Sequence, residues 1–544
     1  MQLGDGEFAA VRAGMTVWLE SLFPRRRLLR EIRAGWAKPG EKDAWLADRY
    51  FDLTRSGDDL LHVDEQTWND LEFPRIFAQL DTTITRIGSQ CLFRQMRTYA
   101  REPAQTQALY ETFQALRRDR DLRERIQLTL TSLNADSAAR VVETLYEPRI
   151  EGPKHPALII GWSVVSLGLV GAMSASLIPL GMALLVLGVN VAISARTASR
   201  RYRLIETLRG VFELISVAEG LGRIRTDQPV AQIAALARAR ASRRQVKRVF
   251  RWFHRFGNLP MGLGIWLNLV FPAEVLVSIH TVNRLPGVRE ELRSMYEQVG
   301  SLDAAIAVAS FLERAAHCPA ASGPDSTIEI EAGYHPLIQQ PVPNSLRLEE
   351  RSALISGSNM AGKTTFIKMV AINLIFGRTL GFCLARDARI PWASVMACIR
   401  TEQSVESGKS RYFAEIETIL TFLRRDGGDG HLVVVIDEPF SGTNTTERVA
   451  AAKAVLAALS RHSLVLATTH DVELQEMLRD RFDMFHFTEN PQVEGYFDYR
   501  LQRGPCYERN ALKLLAEVGY PHAVIAEAVE LAGASGGPAK ADLV

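Results

Sequence analysis

The sequence predicts an α/β domain in the C-terminal part of the chain, preceded by a mostly α-helical part that carries a two-helix transmembrane hairpin. Three observations support this fold class. Strand-like and helix-like runs alternate after about residue 326, apolar residues recur at helical spacing between about 67 and 151, and residues 157–195 contain no charged side chain.

Length and composition limit the number of domains and the kinds of binding site that the chain can have. The chain has 544 residues, too many for one ordinary domain, and its apolar content of 47% is ample for several buried cores. The formal net charge of +2 is close to neutral, so any basic partner-binding surface has to be local. The five cysteines are scattered without a CxxC pair, which argues against a zinc site and against a disulfide framework.

Changes in apolar spacing and in charge along the chain indicate its domain boundaries. The stretch AAHCPAASGPDS is small, polar and proline-containing, as is typical of a linker. In chain order we expect an N-terminal helical segment (1–66), the first part of a helical core (67–156), the transmembrane hairpin (157–195), the second part of the core with a basic face (196–314), the linker (315–326), the α/β domain (327–532) and a disordered tail (533–544).

The uncharged stretch 157–195 divides at SASLIP into two apolar runs. As a helix, each run covers roughly 26 Å, slightly less than a ~30 Å hydrocarbon core. Lys154 precedes the stretch and arginines follow it, so the positive-inside rule places both ends on the cytoplasmic side. This interpretation predicts a protein of the inner (cytoplasmic) membrane whose α/β domain is cytoplasmic. The alternative is a hairpin buried in a helical bundle of a cytoplasmic protein.

Two further features lie in the second part of the core. The apolar stretch 258–279 contains two prolines and Glu274, so we interpret it as core or interfacial, with a further membrane segment as the alternative. Before it, six cationic residues recur at three-to-four spacing and share one helix face, which suits lipid headgroups or nucleic-acid phosphates, or is simply solvated. They are Arg240, Arg244, Lys247, Arg248, Arg251 and Arg255.

A phosphate-binding loop is predicted in SALISGSNMAGKTTFIKMVAI, which has the order strand, glycine loop, helix. It matches the pattern G-x-x-x-x-G-K-[ST], in which backbone N–H groups and the helix N-terminus face phosphate oxygens. Lys363 would reach the β- and γ-phosphates of ATP, and the Thr364 hydroxyl would bind Mg²⁺. The complete loop is Gly357, Ser358, Asn359, Met360, Ala361, Gly362, Lys363, Thr364 and Thr365.

Two buried strands after the loop end in residues that suit ATP hydrolysis. HLVVVIDEP ends in Asp437, which would hold Mg²⁺, and Glu438, which would polarise the attacking water. SLVLATTHD ends at His470, where the imidazole would face the γ-phosphate. A structural histidine is the alternative for the last position.

The segment SVESGKSRYFAEI places a glycine and hydroxyl donors just before a helical run, which makes a second anion-binding helix start. In ATPases of the ABC type, such an element completes the nucleotide site of a partner subunit. The residues concerned are Ser407, Gly408 and Ser410.

Together these elements resemble the MutS family of ABC-type P-loop ATPases. The loop GSNMAGKTT is similar to the family's G-P-N-M-G-G-K-S-T, ESGKSRYFAE to A-S-G-R-S-T-F-M-V-E, IDEPFSGTNTTE to D-E-I-G-R-G-T-S-T, and ATTH to F-A-T-H. GYHPLI and PVPNSLRL are similar to the family's R-H-P and V-P-N-D segments, and FAQLDTTITRIGSQCLFRQMR to a segment of its helical core. The resemblance implies ATP and Mg²⁺ as cofactors, a homodimer with Ser410 offered in trans, DNA binding, and a role related to mismatch repair.

The resemblance has limits. Mismatch repair members carry an N-terminal mismatch-reading domain with a Phe-x-Glu wedge, whereas only about 66 residues precede the match here. The Phe-x-Glu triplets at 311–313 and 413–415 lie elsewhere. Two compatible hypotheses therefore stand: a dimeric DNA-binding ATPase of MutS type, and a membrane-tethered ABC-type switch that acts on a membrane or protein partner without recognising mismatches.

Overall fold

The computed structural model describes residues 24–40, 42, 44–55, 57, 61–133, 138–147, 155–174, 180–257, 259–270, 272–358, 361–399, 411–427, 431–488, 497–505 and 519–534. The chain folds into two compact units. The first unit comprises Met1–Gly57, Phe77–Met96 and Ala108–Ala315, and the second comprises Asp58–Ile76, Arg97–Gln107 and Ala316–Val544. All but two residues of the predicted tail 533–544 lie outside the described residues.

Helices form most of the chain up to Arg314. They are α1 (Pro24–Gly35), α2 (Arg49–Thr54), α3 (Glu65–Asp70), α4 (Phe73–Leu80), α5 (Arg86–Arg97), α6 (Pro103–Arg118), α7 (Arg120–Leu130), α8 (Val141–Tyr146), α9 (Pro156–Ser174), α10 (Leu180–Leu221), α11 (Ala231–Arg238), α12 (Arg240–Gly257), α13 (Met261–Val270), α14 (Ala273–Arg284) and, after a 3₁₀ turn at Leu285–Val288, α15 (Arg289–Arg314).

Helix α15 is the centre of the first unit, where α8, α10 and α11 pack against it. Its Asp303 is fully buried and accepts hydrogen bonds from the backbone N–H of Ile84 (3.0 Å) and of Thr85 (2.7 Å), just before α5 begins. Burial raises the pKa of Asp303. Because Asp303 lies against Gly88, where a Cβ would come within 2.3 Å of its carboxylate, the glycine is required for this close approach.

The predicted transmembrane hairpin over 157–195 is wrong. Among the residues that the structure describes, no helix is both long enough and apolar enough to cross a bilayer. The predicted inner-membrane location and membrane partner rested on this hairpin and fall with it. Residues 175–179, between the two predicted spans, lie outside the described residues.

The prediction relied only on the lack of charged residues. It took no account of the polar side chains in the stretch, nor of a helix that continues beyond its end. The indole Nε1 of Trp162 on α9 donates to Asn190 Oδ1 (2.8 Å) on α10, and Asn190 Nδ2 donates to Ser166 Oγ (3.0 Å) and to the carbonyl of Val270 (2.8 Å). Asn190 is fully buried. Helix α10 continues for 42 residues, from the apolar run into the charged sequence. The stretch 258–279 is likewise divided at Pro272 between α13 and α14.

The described residues of the second unit form three sheets. Its strands and remaining helices are β1 (Cys318–Pro319), β2 (Ala321–Ser322), β3 (Thr327–Gly333), β4 (Asn344–Glu349), β5 (Ser352–Ser356), α16 (Lys363–Leu380), β6 (Phe382–Cys383), β7 (Asp387–Ile390), β8 (Ser394–Cys398), α17 (Arg411–Arg425), β9 (Leu432–Ile436), α18 (Thr445–Leu459), β10 (Leu464–Thr468), α19 (Val472–Leu478), β11 (Phe482–His486), β12 (Gln502–Arg503) and α20 (His522–Ala534).

The main sheet has the strand order β12-β11-β5-β10-β9-β8, and all its neighbours are parallel except the β11–β12 pair. Strands β5, β9 and β10 are buried at every position, as expected for parallel strands covered on both faces. A second sheet has the order β2-β7-β3-β4, and β1 pairs with β6. The C-terminal part is thus the α/β domain that the alternating pattern predicted.

Side chains from the N-terminal half of the chain close the β8 edge of the main sheet. The backbone N–H groups of alternate residues of this edge donate to the Tyr99 hydroxyl (3.1 Å), to Thr67 Oγ1 (2.9 Å) and to Asp70 Oδ2 (2.7 Å). An exposed edge strand would leave these donors available to another chain. The segments that contain Thr67 and Tyr99 therefore belong structurally to the second unit.

Candidate nucleotide site

Three predicted motifs follow neighbouring strands of the main sheet. The phosphate loop follows β5, the pair Asp437-Glu438 follows β9, and His470 follows β10, which lies between the other two strands. Because the three strands are parallel, their carboxyl ends meet at one edge, where open α/β sheets bind ligands. The sheet order thus brings together residues more than 100 positions apart.

Two glycines allow the phosphate loop to curl. Gly357 has φ +130°, and a Cβ there would lie 2.5 Å from the carbonyl oxygen of Phe487. Gly362 has φ +101° and directly precedes α16. Both values lie in the region that disfavours side chains. The buried Ser358 Oγ has no hydrogen-bond partner among the described residues, which suits a loop that receives phosphate oxygens.

Lys363, the first residue of α16, is buried with its amino group beneath the loop. Its Nζ donates to the carbonyls of Gly357 and Ser358, both at 2.8 Å. Burial lowers the pKa of Lys363 to about 8, although Glu438 and Asp437 act in the opposite direction. Lys363 is therefore mostly protonated at pH 7, but its pKa is much closer to neutral pH than that of an exposed lysine.

Thr364 and Asp437, the residues predicted to hold Mg²⁺, lie in contact with each other. Thr364 Oγ1 donates to Asp437 Oδ2 (2.8 Å), and Thr468 Oγ1 donates to Asp437 Oδ1 (2.5 Å). Hydroxyl and carboxylate oxygens are the ligands that Mg²⁺ prefers, and the cation usually shares such sites with substrate phosphates. The residues present therefore fit the ion.

Glu438 and His470 form a pair at the centre of the site. His470 Nε2 lies 2.5 Å from Glu438 Oε1 and 3.1 Å from Lys363 Nζ. A protonated Nε2 donates to the carboxylate, whereas an unprotonated Nε2 accepts from the lysine. The Glu438 backbone N–H donates to Thr468 Oγ1 (3.0 Å), which also binds Asp437, so one hydroxyl orients both acids.

The loop after β9 has strained backbone and is held by α17. Glu438 and Phe440 have φ of +49° and +61°, in the left-handed region that non-glycine residues rarely adopt. Glu415 Oε1 accepts a hydrogen bond from the Phe440 backbone N–H (2.5 Å). Tyr412 lies so close to Gly442 that a Cβ there would come within 2.9 Å of the ring. Sequence reasoning missed these anchors, because no local pattern links α17 to this loop.

A cavity of about 450 Å³ opens beside the phosphate loop and is large enough for a nucleoside. Besides Gly362 to Phe366, its lining includes the aromatic rings of His335, Phe487 and Tyr499. Burial lowers the pKa of His335 to about 4, so its ring is neutral near pH 7. His335 belongs to the GYHPLI segment singled out in the sequence, whereas no sequence signal marked Phe487 or Tyr499.

An asparagine of the PVPN segment fixes one wall of this cavity. Asn344 Nδ2 donates to the carbonyl of Tyr499 (2.9 Å), and its Oδ1 accepts from the Leu501 N–H (2.8 Å). This pairing gives Asn344 a structural role next to the candidate nucleotide site.

The remaining predicted site residues fall into two groups. Asn359, Met360, Ser407, Gly408 and Ser410 lie outside the described residues. The predicted basic face lies on α12 in the first unit, where Lys247 is half-exposed and the other five members are exposed: Arg240, Arg244, Arg248, Arg251 and Arg255.

Comparison with known proteins agrees with this site. Residues 353–534 match the family model of MutS domain V. The matched region contains the phosphate loop, Asp437, Glu438 and His470, and so all the residues predicted to act in ATP hydrolysis. The resemblance to the MutS family is confirmed for this part of the chain, whereas the membrane-inserted variant has no support.

Three curated relatives are each named DNA mismatch repair protein MutS. The protein of Thermus aquaticus is 29% identical over 245 residues, 44% of this chain and 30% of the relative. That of Natronomonas pharaonis is 29% identical over 269 residues (46% and 31%), and that of Thermus thermophilus 27% over 251 residues (45% and 30%). The chain thus spans less than a third of the length of the MutS proteins it matches.

Proposed function

We propose that the protein is an ATPase of MutS type that binds ATP with Mg²⁺ at the phosphate loop and hydrolyses it. The observation that carries the proposal is one continuous network: Thr364 contacts Asp437, Thr468 contacts both Asp437 and Glu438, and His470 contacts both Glu438 and Lys363. A merely structural strand end would not gather two acids, a histidine and a buried lysine at the start of a helix.

Each residue has a distinct task in this reaction. Lys363 and the N-terminus of α16 would stabilise negative charge on the phosphates. Thr364 and Asp437 would hold Mg²⁺, which neutralises phosphate charge when bound. The cavity beside the loop would take the nucleoside, with the rings of His335 and Tyr499 in its wall.

Glu438 would orient the attacking water and accept its proton. Its carboxylate lies within hydrogen-bond distance of His470, which would hold it in place until substrate arrives. Because Glu438 sits in a strained loop, its position depends on the anchors that Thr468 and Glu415 provide.

The proposal includes a homodimer with composite nucleotide sites. The segment with Ser407, Gly408 and Ser410 would complete the site of a second copy, as the family resemblance implies. ATP would then stabilise the closed dimer, and hydrolysis would reopen it.

DNA binding belongs to the proposal through the basic face of α12. This face would contact phosphates without reading sequence, so affinity should fall steeply with salt. Fluorescence anisotropy with duplex DNA at rising salt tests this part. Binding that is absent, or that does not respond to salt, would contradict it.

The hydrolytic part is tested by Glu438→Gln and Lys363→Ala. Glu438→Gln should bind ATP, turn it over at least ~100-fold more slowly, and accumulate as a dimer, because the water is no longer activated. Lys363→Ala should lose ATP binding. Turnover by Glu438→Gln at the wild-type rate would refute the role assigned to Glu438.

A further inference from the structure

A cationic pocket of about 200 Å³ lies in the first unit, where the end of α10 and the turn after it meet the start of α12. Among the described residues that line it, five are cationic and one is acidic. They are Glu219, Arg223, Arg240, Arg243, Arg244 and Lys247. No acidic residue occurs anywhere in the sequence of α12.

Glu219 is already paired within the pocket. Arg223 Nη2 lies 2.6 Å from Glu219 Oε1, and Lys247 forms an ion pair with Glu219 Oε2. The hydrogen bond from Lys247 lowers the pKa of Glu219, with Arg223 acting in the same direction, so the carboxylate is ionised near pH 7. Its single charge is therefore shared between two cations.

The three remaining arginines have no carboxylate partner within 4 Å among the residues that the structure describes. Arg243 is only 4% exposed, and its guanidinium donates to the carbonyl of Leu236. Gly222 leaves room for this contact, since a Cβ there would lie 3.2 Å from Arg243 Nη1. Arginine stays charged even when it is buried. Burial lowers the pKa of Arg243 and Glu219 acts in the opposite direction, but this one carboxylate serves five cations. Burying positive charge that is not fully compensated is unfavourable, so the pocket is complementary to a further anion.

We propose that this pocket binds a terminal phosphate group. Guanidinium groups form paired hydrogen bonds with phosphate oxygens, and the N-terminus of α12 adds its partial positive charge. The volume is below the ~300–1,000 Å³ of sites that enclose a whole small molecule, so the pocket takes only the anionic end of its ligand.

A terminal phosphate fits better than a phosphate within a nucleic-acid strand. A terminal monoester carries up to two negative charges and can enter a concave site end-on. A backbone phosphodiester carries one charge and has a sugar on each side, which suits the open face formed by Arg248, Arg251 and Arg255. Two sources share this chemistry: the 5′-phosphate end of a DNA strand, and a free phosphorylated molecule. The first source rests on the proposed DNA binding, and the second does not.

The first experiment compares a single-stranded oligonucleotide that carries a 5′-phosphate with the same strand ending in a 5′-hydroxyl. The full-length protein should bind the phosphorylated strand at least ~10-fold more tightly in fluorescence anisotropy. The double variant Arg240→Gln/Arg244→Gln should reduce this preference to less than about twofold. The matched double variant Arg251→Gln/Arg255→Gln removes the same charge from the same helix outside the pocket. It should weaken both strands equally and keep the preference.

The second experiment uses inorganic pyrophosphate in the full-length Lys363→Ala chain, whose phosphate loop is disabled. Pyrophosphate should raise the melting temperature, because a ligand that binds only the folded state stabilises it. The increase should disappear with Arg240→Gln/Arg244→Gln and persist with Arg251→Gln/Arg255→Gln.

The outcomes separate the two sources. A pocket-dependent response in both experiments supports a DNA end, and a response to pyrophosphate alone supports a free phosphorylated molecule. If no oligonucleotide binds, the DNA part of the proposed function fails, while pyrophosphate still decides the pocket. A melting temperature that does not respond to pyrophosphate, together with equal affinity for the two strands, overturns the proposal.

Discussion

Replacing Glu415 with alanine tests whether α17 holds the loop after β9, which carries Glu438, in the conformation needed for hydrolysis. Glu415 accepts a 2.5 Å hydrogen bond from the backbone N–H of Phe440, two residues after the proposed catalytic Glu438. Glu415→Ala removes this acceptor without touching Lys363, Thr364 or the nucleoside cavity. We therefore expect turnover to fall while ATP affinity is kept.

The magnitude follows from the contacts. A hydrogen bond to a charged group contributes about 1.5–3 kcal/mol, and an unsatisfied buried N–H costs a similar amount. Phe440 is only 6% exposed, so water cannot readily replace the lost partner. The left-handed conformations of Glu438 and Phe440 cost on the order of 1–3 kcal/mol each and persist only when their surroundings enforce them. Losing about 1.5–3 kcal/mol from the active loop conformation predicts a kcat roughly 10- to 150-fold lower.

The assay is steady-state ATP hydrolysis with a separate measurement of nucleotide affinity. Glu415→Gln keeps an oxygen acceptor and should lose less than ~10-fold. Glu417→Ala removes the same charge from an exposed position of the same helix and should stay near wild type. An unchanged kcat in Glu415→Ala, or an equal loss in Glu417→Ala, would refute the proposed coupling between α17 and the loop.

Two further predictions concern pH. Burial lowers the pKa of Lys363 to about 8, and the proposed binding of ATP requires the protonated form. The Kd for a non-hydrolysable ATP analogue should therefore rise about tenfold per pH unit above 8. A flat profile up to pH 9.5 would contradict this. Burial raises the pKa of Asp70 to about 6, above its value in the unfolded chain. The stability that Asp70 contributes is therefore fully present below about pH 4, and it is lost as the pH rises through 6. Asp70→Asn stays neutral, so it should be more stable than wild type by up to ~3 kcal/mol at pH 8, and the difference should shrink towards pH 4. Urea unfolding at both pH values measures this difference. A difference that does not depend on pH would show that ionisation of Asp70 does not destabilise the fold.

Much of the candidate nucleotide site could be proposed from the sequence because its motifs are local. The strand–loop–helix order around Gly357 and Gly362 dictates where backbone N–H groups point, and the acids and His470 each end a strongly apolar strand. The α/β class of the C-terminal part was predictable for the same reason, since alternating buried strands and helices have few other ways to pack.

The membrane hairpin was wrong because absence of charge is not the same as a spanning helix. The stretch contains Trp162, Ser166 and Asn190, which hydrogen-bond to one another, and its second half continues as α10 into charged sequence. Periodicity and charge counts do not show such pairing, because it joins residues of different helices.

By itself, the sequence determined the motifs of the candidate nucleotide site and their order along the chain, since each depends on a few consecutive residues. Only the tertiary structure decided what surrounds them. Glu415 accepts a hydrogen bond from the Phe440 backbone, and Asn344 donates one to the carbonyl of Tyr499. Asp70 accepts a hydrogen bond from the edge of the main sheet, far away in sequence, and Gly222 leaves space for the Arg243 guanidinium beside the cationic pocket. These contacts depend on how separate elements pack, so they leave no periodic or motif-like trace in the chain.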